Sequence, residues 1–188
     1  MKKISGAELL AQYAGGRRDF SSTDISEADL FEAKLQGINL RESNLQKTYL
    51  PYCNLSQAEL QGAQLQAAEL SDAQLYQANL SDANLQDANL CRATLRRANL
   101  RGANLTRANL QGVDFGNADL SYANLSDADL SRANLDRANL TNADLRGSNL
   151  FRTHKVDLSN AYSDSSTVYP DGHRPNKPSS SEDKLSHD

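Results

Sequence analysis

The chain has 188 residues and a formal net charge of −4, with 38% hydrophobic and 6% aromatic residues. So mild a charge singles out neither a polyanionic nor a polycationic partner. No run approaches the roughly 18 apolar residues of a membrane-spanning helix.

At the amino end, Met1-Lys2-Lys3 has the charge of a signal peptide start. Glu8 and Gln12 then interrupt any apolar core, so a cytoplasmic protein is expected. Ser5-Gly6-Ala7-Glu8 fits a capping box, with Ser5 as N-cap. Leu9, Leu10 and Tyr13 would form the apolar face of a short helix that Gly15-Gly16 stops.

From Phe20 to Leu150 a bulky apolar residue occupies every fifth position, 27 times without a gap. All are Leu except Phe20, Ile25 and Phe115, and Ala stands two residues before most of them. A fixed short period signals a repeat architecture. On an α-helix, five residues advance about 500°, which spreads the Leu around the axis. In one long strand an odd period would alternate faces. A short extended piece followed by a turn satisfies the pattern. The central Leu and the Ala two before it share a side, and the polar residue between them points outward. Pairs such as Ser71-Asp72 and Arg101-Gly102 carry turn chemistry. Five residues cannot bury a Leu alone, but stacked coils can, so the chain is read as a solenoid.

Units such as Ala78-Asn79-Leu80 and Ala103-Asn104-Leu105 resemble the A-(D/N)-L-x-x motif of the pentapeptide repeat family. That resemblance implies an all-β solenoid: a right-handed quadrilateral β-helix of four units, hence twenty residues, per coil. The 27 units would make about seven coils. At roughly 4.8 Å per coil the rod would stand about 30 Å tall. The leading segment resembles helices that precede such repeats. Residues 1–17 are therefore assigned to an N-terminal capping helix and 18–160 to the β-helix.

Individual character resides in the outward residues. Cys53 takes a small inward position and Cys91 an outward one, which argues against a disulfide between them. Between Tyr49 and Leu90 there is no Lys or Arg, whereas Arg92, Arg96, Arg97, Arg101 and Arg107 follow without an acid among them. Wound twenty to a coil, these five form a basic belt reaching all four faces. Such a belt suits a phosphate or acidic partner, or it neutralises acids on adjacent coils. Adding twenty places Asp72 beside Arg92, Asp87 beside Arg107, and Arg107 beside Asp127. The neutralising reading is favoured. A second candidate is Tyr49-Leu50-Pro51-Tyr52, one coil above Phe31. There Phe31, Tyr49, Pro51 and Tyr52 would expose an apolar patch able to bind a partner, unless the N-terminal helix covers it.

The beat fails at Lys155, and Val156-Asp157-Leu158 resumes it three residues late. Residues 161–172 are expected to fold over the final coil as a C-terminal cap. Residues 173–188, rich in Ser, Pro and charge, are expected to be a disordered tail.

His154, His173 and His187 have no metal-ligand spacing and no evident nucleophile, and no phosphate loop appears. No catalytic, cofactor or metal site is therefore assigned, and the chain is not expected to be an enzyme. The leading expectation is an interaction scaffold for an unidentified protein partner, either monomeric or an end-to-end homodimer. Aromatic interleaving for base stacking is missing, so nucleic acid is not the expected partner. The alternative is a duplex-mimicking inhibitor or protector of a DNA enzyme such as gyrase, a role that the resemblance implies for some family members. The arginine belt interrupts the continuous negative surface such mimicry requires.

Overall fold

The protein is a right-handed quadrilateral β-helix, described over residues 1–174 by a computed structural model. Parallel one-residue bridges join each residue preceding a centre to its counterpart twenty positions on, without interruption from Asp19↔Asn39 to Asn134↔His154. Four walls result. Wall A carries Phe20 and Leu40, wall B Ile25 and Leu45, wall C Leu30 and Leu50, and wall D Leu35 and Leu55.

A typical unit bonds all five of its backbone N–H groups. In the unit around Leu80, Leu80 donates to Asn99 on the next coil at 2.7 Å, and Asn79 donates to Ala58 on the previous one at 2.9 Å. Asp82 donates forward to Arg101 at 2.9 Å, and Ala83 closes the turn onto Leu80 at 3.1 Å. The Ser81 N–H has no carbonyl and donates instead to the Asn79 side-chain oxygen at 3.2 Å. All twenty Asn and Asp residues in that position accept this bond. The motif thus combines a core residue, a small residue that lets walls meet, and a side-chain acceptor for the one amide the ladder leaves over.

The second turn residue has positive φ in all 27 turns, from Ser22 to Arg152, and only five of these are glycine. A positive φ at that position alone marks a type II turn.

The core is a stack of Leu flanked by buried Ala. Two of the hydroxyls that replace the small Ala bond backbone, Thr48 donating to Leu45 O at 2.8 Å and Ser148 to Leu145 O at 2.7 Å, whereas the buried Thr153 hydroxyl has no partner among the described residues. Cys53 is buried in the same position, and burial pushes its thiol up to about 12.

At the amino end, strand β1 (Lys2–Lys3) pairs in parallel with β2 (Thr23–Asp24) on wall B, an extra rung that periodicity did not indicate. Helix α1 (Gly6–Ala14) follows, with the Ser5 hydroxyl accepting from the Glu8 N–H at 3.1 Å. Leu9 is buried against the first coil. Gly6 lies so close that a Cβ there would stand 2.8 Å from the Asp29 carbonyl oxygen.

At the other end the winding shortens. Asp144 pairs with Tyr162, eighteen residues on, and Asn149 with Val168, nineteen on. Both bridges draw the segment assigned to the C-terminal cap onto the last coil. Val156 and Leu158, half-buried, pack on the core beside the break. The tail expected from 173 lies, from 175 onward, outside the described residues.

Candidate interaction surface

Near the turn between walls C and D three exposed aromatics cluster. Phe31 stacks on Tyr49 with ring centroids 6.1 Å apart and meets Tyr52 edge-on at 5.9 Å. Phe31 is 47% exposed, Tyr49 45% and Tyr52 53%, so α1 does not cover them. Pro51 departs from the expected patch, because it is buried. It opens the turn after Leu50, where Pro suits the first central position and carries no N–H. Tyr49, just before the centre, has no acceptor for that amide. The two departures from the motif therefore compensate each other.

Beside these aromatics an open groove of about 590 Å³ runs along wall D to the helix. Tyr52 and Glu32 line one bank, Tyr13 and Gln36 the other, and Lys34, Asn54 and Gln74 the floor. Tyr13 is fixed there because its hydroxyl donates to Gln36 O at 2.7 Å and Arg18 covers its ring at 3.9 Å. The floor residues were within reach of sequence reasoning, being steps of twenty along one wall. The placing of Tyr13 was not, since it depends on how α1 docks.

The five arginines occupy the corners of one coil, and each has a neighbour. Arg92 holds Asp72 through two bonds of 2.8 and 2.6 Å, and Arg107 holds Asp87 at 2.7 and 2.9 Å. These guanidiniums keep both carboxyls below the ordinary value of 3.8, and the carboxylates in turn raise Arg92 and Arg107. Arg107 was also expected to meet Asp127, but among the described residues it makes no ion pair there, its Nε and Nη2 being turned to Asp87 on the preceding coil. Three contacts escaped the step of twenty. Arg96 reaches Asp114 at 3.4 Å, Arg97 donates to the Tyr76 hydroxyl at 3.3 Å, and Arg101 lies over the Tyr122 ring at 4.9 Å. They are diagonal, and side-chain length decides them.

Cys91 stands half-buried at the C–D turn, where the Arg92 guanidinium donates to its sulfur at 3.3 Å. His154 sits on wall D above Asn134, and His173 lies against Asp171. His187 falls outside the described residues. No group of three or more His, Cys, Asp or Glu among the described residues is placed to hold a metal. No helix among the described residues is long and apolar enough to cross a membrane.

The family model for pentapeptide repeats matches in overlapping copies between residues 23 and 152, and the chain belongs to that family. Among solved structures it is similar to a trypsin-treated point variant of QnrB1, a plasmid-mediated fluoroquinolone resistance protein. The identity is 18% over 78% of this chain and 79% of that one, with a TM-score of 0.69. It is also similar to HetL, a pentapeptide repeat protein involved in heterocyst differentiation regulation in the cyanobacterium Nostoc sp. strain PCC 7120. There the identity is 29% over 91% of this chain and 99% of that one, with a TM-score of 0.37. No curated protein is a significant sequence match.

Proposed function

We propose that this chain is a non-enzymatic interaction scaffold that docks a protein partner on its C–D corner. The observation that carries this reading is the exposed cluster of Phe31, Tyr49 and Tyr52 beside an open groove on a Leu-filled rod. Aromatic side chains supply large contact area at low entropic cost and dominate interface energetics. The rod positions them without having to order on binding, which removes part of the cost of association. The arginine belt is assigned a structural part, because Arg92 and Arg107 each hold an acid of the preceding coil, Asp72 and Asp87, through two bonds.

The test is affinity capture from the native cell with the wild type and with a Phe31→Ser, Tyr52→Ser variant of unchanged circular dichroism. A partner retained by the wild type and lost by the variant supports the reading. Equal retention by both sinks the patch as the docking site, and a measured turnover with no partner sinks the scaffold itself. A duplex-mimic role has less support, because five guanidiniums interrupt the negative surface at mid-rod. Gyrase supercoiling unaffected by micromolar protein would agree with that ranking.

A further inference from the structure

The C–D corner has an internal symmetry. Its first turn position, one residue per coil, begins at Phe31, passes Cys91 at its midpoint and ends at Phe151. Both terminal rings are exposed, Phe151 by 38%, and the residues between are small or polar apart from Pro51. The second turn position runs from Glu32 and Tyr52, through Arg92, to Arg132 and Arg152. Acid and aromatic therefore occupy one end and base the other, and all five are exposed.

We propose that a second copy of this chain docks antiparallel along this corner, about a two-fold axis through Cys91. A two-fold contact is isologous: if residue i of one copy faces j of the other, then j faces i. Reversing the corner upon itself brings Phe31 onto Phe151, Glu32 onto Arg152 and Tyr52 onto Arg132, twice each. The first is an aromatic contact, the second an ion pair and the third a cation–π pair. The only like charges brought together are the two Arg92, near the axis. Each already carries its own Asp72 on a two-bond fork, so neutral pairs meet there. The six rungs between Phe31 and Phe151 make a strip about 29 Å long. A strip along one corner lies at the small end of specific interfaces, so a dissociation constant in the micromolar range is expected.

This inference rests on the reading of the aromatic corner as an interaction surface and names one occupant for it. The test uses the full chain. Sedimentation equilibrium should show the mass rising from one copy toward two as concentration rises through the micromolar range. A short bis-maleimide should then trap a covalent dimer through Cys91, with buried Cys53 silent, and Cys91→Ser should abolish the trap while leaving the sedimentation unchanged. Phe31→Ser with Tyr52→Ser should weaken the dimer at least about tenfold. Arg152→Glu should weaken it too, and adding Glu32→Arg should restore it. A monomer up to hundreds of micromolar overturns the proposal. So does a dimer that Cys91 does not trap, as an end-to-end arrangement would give. If the copy fails but the aromatic variant still loses a partner from the native cell, the docking surface stands and only its assignment to a second copy falls.

Discussion

At the second turn position, backbone preference and side-chain choice disagree. Left-handed φ costs a non-glycine residue about 1–2 kcal/mol, yet Ala67 sits there at φ 54° with nothing but its Cβ to justify it. Glycine relieves that strain while giving back about 0.5–1 kcal/mol in unfolded-chain entropy. Ala67→Gly is therefore expected to stabilise by about 0.5–1 kcal/mol in urea unfolding, and a loss of stability would contradict the turn type. Gly102→Ala should do the reverse. It would impose a side chain at φ +68° and set its Cβ 2.6 Å from the Asp82 Oδ1. None of this was readable from composition: twenty-two non-glycine residues at the position hide its common φ. The Asn and Asp before each centre were legible as outward and polar, but not as acceptors for the leftover amide.

At the scale of the turn and its rung, Tyr49 and Pro51 form a compensated pair. Pro51→Ser restores an N–H in a buried place where Tyr49 offers no acceptor, and an unpaired amide costs about 1–3 kcal/mol. Tyr49→Asn supplies the acceptor seen in the twenty units with Asn or Asp before the centre. The double variant should thus recover stability that Pro51→Ser alone loses, a non-additivity measurable in a double-mutant cycle. Equal and additive losses would show that the amide is met by water. Between coils, the forks from Arg92 to Asp72 and from Arg107 to Asp87 depress both carboxyls below 3.8. At the carboxyl end, Asp164 is held down to about 2 by the Ser166 hydroxyl and the Ser166, Gly147 and Thr167 groups around it. A carboxyl lowered in the folded state contributes stability above its ordinary value and loses it as pH falls toward the folded value. The melting temperature should accordingly be lower at about pH 3 than at neutrality. Arg92→Gln with Arg107→Gln should narrow that difference, and an unchanged difference would mean that exposure to water cancels both forks.

Across the whole molecule, stability is carried by neighbours along one axis. Leu80 is buried at mid-rod, with a coil stacked on either side. Leu80→Asp puts an unpaired charge in that stack, a burial no side chain nearby can relieve. Loss of the far-ultraviolet β signal and of cooperative melting is expected. A native spectrum and an unchanged midpoint would overturn the inward placement. The same one-dimensional order made the walls readable in advance: a step of twenty carries Lys34 to Asn54 and Gln74, and Asp72 to Arg92. It failed where contacts run diagonally, as from Arg101 to Tyr122, and where the beat stops after Leu150 and the steps shorten.

The sequence by itself determined the wound rod, its Leu interior and the stacking of its outward residues into columns, because a strict period leaves one way to bury every fifth residue. Tertiary structure decided which side chains remained available: Pro51 went inside, Arg107 chose Asp87 over Asp127, and Tyr13 came to bound a groove opposite Tyr52. Those outcomes depend on side-chain reach and on the docking of α1, which are distances in space rather than intervals along the chain.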